Sequence, residues 1–191
     1  MKTYTIIAGV NGAGKSSLTG VLKAEKNNLG YVIDVDKMSI DYKISALEAG
    51  KNAVLKTDEF LSKDISFAQE TTLSGQRTER IIKIAKTKGY YIRLFYIGLN
   101  TQEECEKRIK NRVEKGGHDI KSNDVNRRHK KRFSDLLKIL PYCDEAHLLD
   151  NENGFVEVGE YKNGELRTLG DYKPFWLCEL MKIIMDGYGA A

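Results

Sequence analysis

The sequence contains few of the residues that build disulfide frameworks or zinc sites. It has only three cysteines, Cys105, Cys143 and Cys178, and three histidines, and no two cysteines form a C-x-x-C pair. A disulfide scaffold and a structural zinc site are therefore not expected, because both need closely patterned cysteine or histidine ligands. Widely spaced cysteines are typical of reduced thiols, so a cytoplasmic location is expected.

Long apolar runs are also missing. No run approaches the roughly 20 residues that a membrane-spanning helix needs, so no membrane association is expected. The first four residues, MKTY, lead directly into a predicted strand, and we therefore expect no signal peptide. Proline occurs only at Pro141 and Pro174, and no linker-like tract interrupts the chain. A length of 191 residues without such a tract predicts one domain over residues 1–191.

What the chain does contain is a complete phosphate-binding motif near its amino terminus. Residues 9–16, GVNGAGKS, fill every fixed position of G-x-x-x-x-G-K-[ST], the P-loop. An apolar run precedes the motif and a helix-compatible segment follows it. In that context the main-chain N–H groups and the positive end of the helix dipole hold a di- or triphosphate. The motif therefore predicts a site for ATP or GTP.

Most predicted nucleotide contacts come from this loop or directly follow it. Lys15 would reach the β- and γ-phosphates, and the Ser16 hydroxyl would bind Mg²⁺. The predicted contacts of the loop are Gly9, Asn11, Gly12, Ala13, Gly14, Lys15, Ser16 and Ser17.

Predicted strands and helices alternate along the chain. The predicted strands cover residues 3–8, 31–34, 65–70, 90–97 and 146–149, followed by a hairpin over 155–166 that turns at Asn163-Gly164. The predicted helices cover residues 15–25, 37–63 with a break at Gly50, 79–88, 101–115, 122–140 and 175–185. This order is typical of an α/β P-loop NTPase with a parallel sheet and helices on both of its faces.

The predicted helix over 101–115 has two local signals. Thr101 and Glu104 fit a capping box at its start. Cys105, Ile109 and Val113 recur every four residues and predict its buried stripe.

Acidic residues follow the second predicted strand. Asp36 is the preferred general base, because a carboxylate at the carboxyl end of a strand can accept the proton of an attacking hydroxyl. It can also order Mg²⁺ through water. Asp34 has a structural alternative, in which it bonds the backbone N–H groups of the turn. Both acids also fit a plain helix-capping role.

Another acid, Glu70, follows the third predicted strand and precedes two threonines. A carboxylate with neighbouring hydroxyls suits hydrogen bonding to a polyhydroxylated acceptor. Glu70 and Thr72 are therefore predicted to bind the substrate, and a turn with a helix cap is the alternative.

A basic segment lies between Cys105 and Arg132. It holds eleven Lys and Arg residues and four Asp and Glu residues, a net charge of +7 in a chain of net charge +4. Two predicted helices carry arginines around a glycine hinge at residues 116–119, an arrangement typical of a lid that closes on a triphosphate. Such a lid, over about residues 101–140, would use Arg112 and Arg128 in catalysis and nucleotide binding, with Arg127 and Arg132 as further candidates. A solvated basic face and a nucleic-acid surface are the alternatives.

Taken together, these residues resemble the zeta-toxin-like P-loop kinases, specifically their small stand-alone members. The resemblance depends on the P-loop and on residues 33–36 (IDVD), 70–75 (ETTLSG), 112–119 (RVEKGGHD) and 127–128 (RR), and it extends to about residue 151. It implies an ATP-dependent phosphotransferase. In the zeta toxins the acceptor is the 3′-hydroxyl of UDP-N-acetylglucosamine, and an antitoxin protein blocks the ATP site.

The resemblance also implies roles for single residues. Lys15 and Ser16 would bind phosphate and Mg²⁺, and Asp36 would be the general base. Glu70 would contact the acceptor, and Arg112 with Arg127 or Arg128 would clamp the phosphates.

The sequence therefore predicts a kinase that moves the γ-phosphoryl group of ATP·Mg²⁺ to a hydroxyl of a small molecule. The resemblance implies a UDP-amino sugar as acceptor and an antitoxin as protein partner, and a nucleic-acid partner is not expected. Two alternatives remain. One is a nucleic-acid end kinase or nucleic-acid-binding ATPase that uses the +7 segment, and the other is a regulatory NTP-binding module.

Overall fold

The computed structural model describes residues 1–117 and 119–188, and within these ranges the strands form a single sheet. The strands are β1 (Thr3–Gly9), β2 (Tyr31–Ile33), β3 (Phe67–Thr71), β4 (Tyr91–Gly98), β5 (Glu145–Asp150), β6 (Val156–Lys162) and β7 (Glu165–Thr168). The helices are α1 (Lys15–Ala24), α2 (Val35–Asp41), α3 (Ala46–Ser62), α4 (Arg77–Thr87), α5 (Gln102–Glu114), α6 (Ser122–Ile139) and α7 (Phe175–Ile183). A 3₁₀ turn, Leu140–Tyr142, follows α6, and a π-helical turn, Ile184–Tyr188, follows α7.

The strand order is β2-β3-β1-β4-β5-β6-β7. Strands β1 to β5 pair in parallel, whereas β6 and β7 pair antiparallel as a hairpin on the β5 edge. The hairpin turns at Asn163-Gly164, both with positive φ, as the sequence predicts. The predicted P-loop α/β fold is confirmed, and its predominantly parallel sheet gathers the strand ends that carry the predicted site at one edge.

Two apolar cores lie on opposite faces of the sheet. Neighbouring residues of β1 belong to different cores. Ile6 is part of the core that includes residues of α3, α4, α6 and α7, and Ile7 is part of the core that includes residues of α1 and α5. This separation follows from the two-residue period of a strand, which turns successive side chains to opposite faces. In the described part of the chain, no helix combines the length and apolar character needed to cross a membrane.

The predicted break at Gly50 is wrong. The chain breaks earlier, over residues 42–45, and Gly50 lies inside α3. The physical reason is a capping box: the Ser45 side chain accepts a hydrogen bond from the Glu48 N–H, and the Glu48 side chain accepts one from the Ser45 N–H. This S-x-x-E pattern is a local signal for the start of α3.

The predicted stripe of α5 is right at two positions and wrong at the third. Cys105 and Ile109 are buried, but Val113 is 38% exposed because the last turn of α5 extends beyond the core. At the start of the helix, Thr101 accepts a hydrogen bond from the Glu104 N–H, as expected for an N-cap. The Glu104 carboxylate accepts from Arg108 instead.

Helix α7 fixes the ends of the central strands. Trp176 is fully buried, its indole N–H donates to Asp150 Oδ1 at 2.7 Å, and its ring occupies the space beside Gly98. A Cβ at Gly98 would lie 2.1 Å from that ring, so no larger residue fits there. One turn along α7, Glu179 accepts a hydrogen bond from Arg132 of α6 at 2.5 Å. Helix α7 therefore holds both the β5 terminus and α6, two elements that border the P-loop.

We expect the Trp176→Ala variant to lose about 3–5 kcal/mol in free energy of unfolding, because it empties a buried aromatic site and removes the indole N–H that donates to Asp150 Oδ1. The matched control is Phe175→Ala, since Phe175 is 82% exposed. Urea unfolding followed by circular dichroism measures both. Similar losses for the two variants would contradict this account of α7.

Candidate functional site

A cavity of about 450 Å³ lies at the carboxyl ends of β1, β2 and β3. Its size is typical of a small-molecule site, and its position is where open α/β sheets bind ligands. The cavity brings together most of the predicted site residues: Asn11, Gly12, Gly14, Lys15, Ser16, Ser17, Asp36, Glu70, Thr72, Arg112 and Arg128. Gly9, Ala13 and Arg127 do not line it.

The P-loop glycines are required by close contacts with other segments. Gly12 has φ 79°, and a Cβ there would lie 2.8 Å from the Cys105 carbonyl oxygen of α5. Gly14 has φ 97°, and a Cβ there would lie 2.6 Å from Asn151 Nδ2. Both conformations lie in the left-handed region that favours glycine. Since no side chain caps α1 after Gly14, its first N–H groups remain available to an anion.

Lys15 lies beneath this loop. Its ammonium donates to the carbonyl oxygens of Gly9 at 3.1 Å and Val10 at 3.2 Å. Burial lowers the pKa of Lys15, and the nearby carboxylates of Glu70 and Asp36 oppose that shift. An anion bound above the loop would offset the cost of keeping this buried ammonium charged.

Glu70 lies against the first turn of α1. Its carboxylate accepts hydrogen bonds from the Ser16 hydroxyl at 2.8 Å and from the Thr19 hydroxyl at 2.7 Å. Burial raises the pKa of Glu70, with a further contribution from the charge of Asp34. The side chain predicted to contact the acceptor is therefore bonded to the P-loop serine, on the wall that Thr72 also lines.

The side-chain oxygen atoms on this wall are suitable ligands for Mg²⁺. Ser16 and Glu70 present oxygen atoms only, and Mg²⁺ prefers oxygen ligands, keeping several waters and substrate phosphates in its shell. Within residues 1–117 and 119–188, no cluster of three or more His, Cys, Asp or Glu could hold a metal by itself. Ser16 and Glu70 are thus the residues that would hold Mg²⁺ from the protein side.

The two aspartates after β2 have different environments. Asp34 is the N-cap of α2, and its carboxylate accepts a hydrogen bond from the Lys37 N–H at 3.1 Å. This contact confirms the structural alternative stated for Asp34. Asp36, in the first turn of α2, is exposed and lines the cavity.

Helices α5 and α6 form a second wall of the cavity, and they bring arginines to it. Arg128 donates to Asn11 Oδ1 at 2.8 Å, and Asn11 is 6% exposed. This hydrogen bond ties α6 to the P-loop. Arg112 of α5 lines the same cavity.

Two other arginines, both on α6, do not reach the cavity. Arg127 is exposed and donates to Asp124 of its own helix at 2.8 Å, so the structure does not bring it to the cavity. Arg132 is buried against His129 and Glu179. Burial, followed by the charge of Arg132, lowers the pKa of His129 to about 4, so this histidine is neutral at pH 7. His118 of the predicted hinge lies outside the described residues.

Two further residues of this site are not among those predicted from the sequence. Asn151, which follows β5, donates from its side chain to the Ala13 carbonyl oxygen at 2.8 Å and supports the P-loop from behind. Arg77, the first residue of α4, lines the cavity. Asn151 follows a predicted strand, and Arg77 comes shortly before the predicted helix over 79–88; these positions at the carboxyl edge of the sheet are the signal that could have identified them.

Comparison with solved structures places this fold in a known class. The AvrRxo1-ORF1:ORF2 complex with ATP matches with a TM-score of 0.66 at 16% identity, over 100% of this chain and 65% of that chain. The PezAT toxin-antitoxin system of Streptococcus pneumoniae matches with a TM-score of 0.62 at 16% identity, over 97% of this chain and 85% of that chain. The chain thus spans about two thirds of the length of the AvrRxo1-ORF1:ORF2 chain it matches. Its fold is that of the zeta-toxin-like P-loop kinases.

Among curated proteins, an uncharacterized protein of Haemophilus influenzae is 34% identical over 126 residues, which cover 63% of this chain and 88% of that protein. The chain belongs to the same family as this Haemophilus protein. No family model matches the chain.

We expect the Asn11–Arg128 contact to stabilise the protein measurably. In a double-mutant cycle of Asn11→Ala and Arg128→Ala, the coupling in free energy of unfolding should be about 1 kcal/mol, as for a half-buried charged hydrogen bond. Urea unfolding of the four proteins gives this value. The cycle of Asn11→Ala with Arg127→Ala is the control and should show no coupling; equal coupling in both cycles would refute the contact.

Proposed function

We propose that the protein is a kinase that transfers the γ-phosphoryl group of ATP to a hydroxyl of a small-molecule acceptor. One observation carries the proposal: a single cavity holds the P-loop, a free carboxylate at Asp36 and the arginines of the α5–α6 pair. These are the parts that phosphoryl transfer needs, because its catalysis depends on positioning and on neutralising charge.

The nucleotide would occupy the P-loop wall. Main-chain N–H groups of the loop and of the α1 terminus would hold the phosphates, and Lys15 would leave its carbonyl contacts for the β- and γ-phosphates. Mg²⁺, held from the protein side by Ser16 and Glu70, would neutralise phosphate charge. The AvrRxo1-ORF1:ORF2 complex, which has the same fold, was solved with ATP, and this supports a nucleotide at this site.

The acceptor would occupy the wall formed by α2 and the segment after β3. Asp36 would accept the proton of the acceptor hydroxyl as its oxygen forms a bond to the γ-phosphorus. The bond from that phosphorus to the β–γ bridging oxygen would break, and ADP would leave with the electron pair. Arg112 and Arg128 would offset the charge on the transferred group. Thr72 would border the acceptor, and so would Glu70, whose carboxylate is hydrogen-bonded to Ser16.

A UDP-amino sugar is the first acceptor to test, since the motifs of the chain resemble those of the zeta toxins. A protein partner of antitoxin type is part of the same proposal. It is supported by the solved neighbours, which are the AvrRxo1-ORF1:ORF2 complex and the PezAT toxin-antitoxin system.

We expect Asp36→Asn to lower turnover by a factor of about 10² to 10⁴ while leaving ATP affinity within a few fold, because only proton transfer is removed. Lys15→Ala should abolish ATP binding. Turnover is measured as transfer of label from γ-labelled ATP to a metabolite pool, and affinity by calorimetry with Mg²⁺.

Asp41→Asn is the matched control for this experiment. Asp41 lies on the same helix, pairs with Lys37 and does not line the cavity. Wild-type turnover by Asp36→Asn would eliminate Asp36 as the base. Absence of ATP binding by the folded wild-type protein would eliminate the kinase proposal.

A further inference from the structure

The acceptor wall of the cavity contains one arginine that the proposed mechanism does not use. Arg77 is the first residue of α4 and lines the cavity together with Thr72 and Ser74, which precede the helix. The Thr72 hydroxyl donates to the Ser74 hydroxyl at 3.3 Å. The wall therefore presents a guanidinium beside two hydroxyls.

The sheet order separates Arg77 from the cations assigned to the nucleotide. Strand β3, which leads to Arg77, lies on one side of β1, and β4, which leads to the α5–α6 pair, lies on the other. Lys15 follows β1, and Arg112 and Arg128 come from the α5–α6 pair. In the proposed complex the γ-phosphate would thus have three cations on its own wall, whereas Arg77 lies on the wall proposed for the acceptor.

Interactions with other protein groups do not explain why an arginine occupies position 77. Across residues 1–117 and 119–188, its guanidinium forms no hydrogen bond and no ion pair, whereas Arg108 and Arg128 at the same cavity are hydrogen-bonded to protein groups. It also occupies the first turn of a helix, where the positive end of the helix dipole disfavours a cation. An unpaired arginine at that place raises the positive potential of the wall.

The acids near this wall give a further cation a role in binding an anionic ligand. Asp34, Asp36 and Glu70 all line the cavity near the proposed acceptor position. Without a local positive charge, three carboxylates would repel a phosphate or a carboxylate from this wall. Arginine is the side chain best suited to binding such groups, because its planar fork donates two parallel hydrogen bonds.

We propose that Arg77 binds an anionic group of the acceptor, a phosphate or a carboxylate, while Asp36 receives the proton of its hydroxyl. This inference rests on the proposed kinase function and narrows its substrates to hydroxyl compounds that carry their own negative charge. The hydroxyls of Thr72 and Ser74 would contact the neutral part of the same molecule.

A binding experiment tests Arg77 without requiring turnover. The nucleotide site is first filled with a non-hydrolysable ATP analogue and Mg²⁺, so that added anions cannot occupy the P-loop. Inorganic phosphate and acetate are then titrated separately and followed by protein NMR shifts. We expect Arg77→Ala to weaken binding of the preferred anion at least tenfold and Arg77→Lys to weaken it less.

Arg80→Ala is the matched control, since Arg80 lies one turn further along α4 and outside the cavity, and it should bind like wild type. The phosphate and acetate arms distinguish the two anionic groups. Equal affinity of wild type and Arg77→Ala for both anions, or no binding of either anion by wild type, would overturn the inference.

A transfer experiment separates this inference from the kinase proposal. The metabolite pool is divided by anion exchange, and each fraction is incubated with γ-labelled ATP. Labelled product should arise from the anionic fraction and fall at least tenfold with Arg77→Ala. Product from the neutral fraction that is unaffected by Arg77→Ala would overturn the inference and leave the kinase proposal standing. Absence of product from every fraction would count against the kinase proposal, and the anion titrations would still decide the role of Arg77.

Discussion

The site depends on how closely other segments approach the P-loop backbone. The carbonyl oxygen of Cys105 and the side-chain amide of Asn151 occupy the space where Cβ atoms of residues 12 and 14 would lie. Because glycine is present at both positions, α5 and the end of β5 pack directly on the loop and hold its main chain in one conformation. Helix α7 supports this arrangement at a distance, since Trp176 is hydrogen-bonded to Asp150.

Charge divides the cavity into two walls. Lys15 is buried under the loop, and Glu70 is half-buried against Ser16, so each charge is kept away from water at some energetic cost. Burial lowers the pKa of the lysine and raises the pKa of the glutamate, and in the proposed complex the phosphates and Mg²⁺ would offset the cost of keeping both groups charged. The arginines of the α5–α6 pair extend the positive wall, and the aspartates after β2 form the acidic one.

Much of the fold was predictable from local patterns. The P-loop, the alternation of strands and helices and the Asn163-Gly164 hairpin depend on short-range signals, and the structure has all three. The two wrong predictions, at Gly50 and Val113, also come from short-range signals. Gly50 is a local helix-breaking signal, but the Ser45 capping box fixes the start of α3 before it. The four-residue spacing of Val113 predicts burial, but periodicity does not show where the covering layer ends.

The sequence by itself determined the strand–loop–helix unit of the P-loop and the placement of acids after β2 and β3, since backbone geometry and strand direction enforce both. Only the tertiary structure decided which arginines reach the cavity. Arg127 and Arg128 are adjacent in α6, yet Arg128 is bonded to Asn11 and Arg127 faces solvent. The physical reason is that successive residues of a helix point about 100° apart, so the packing of α6 against the P-loop selects one of the two.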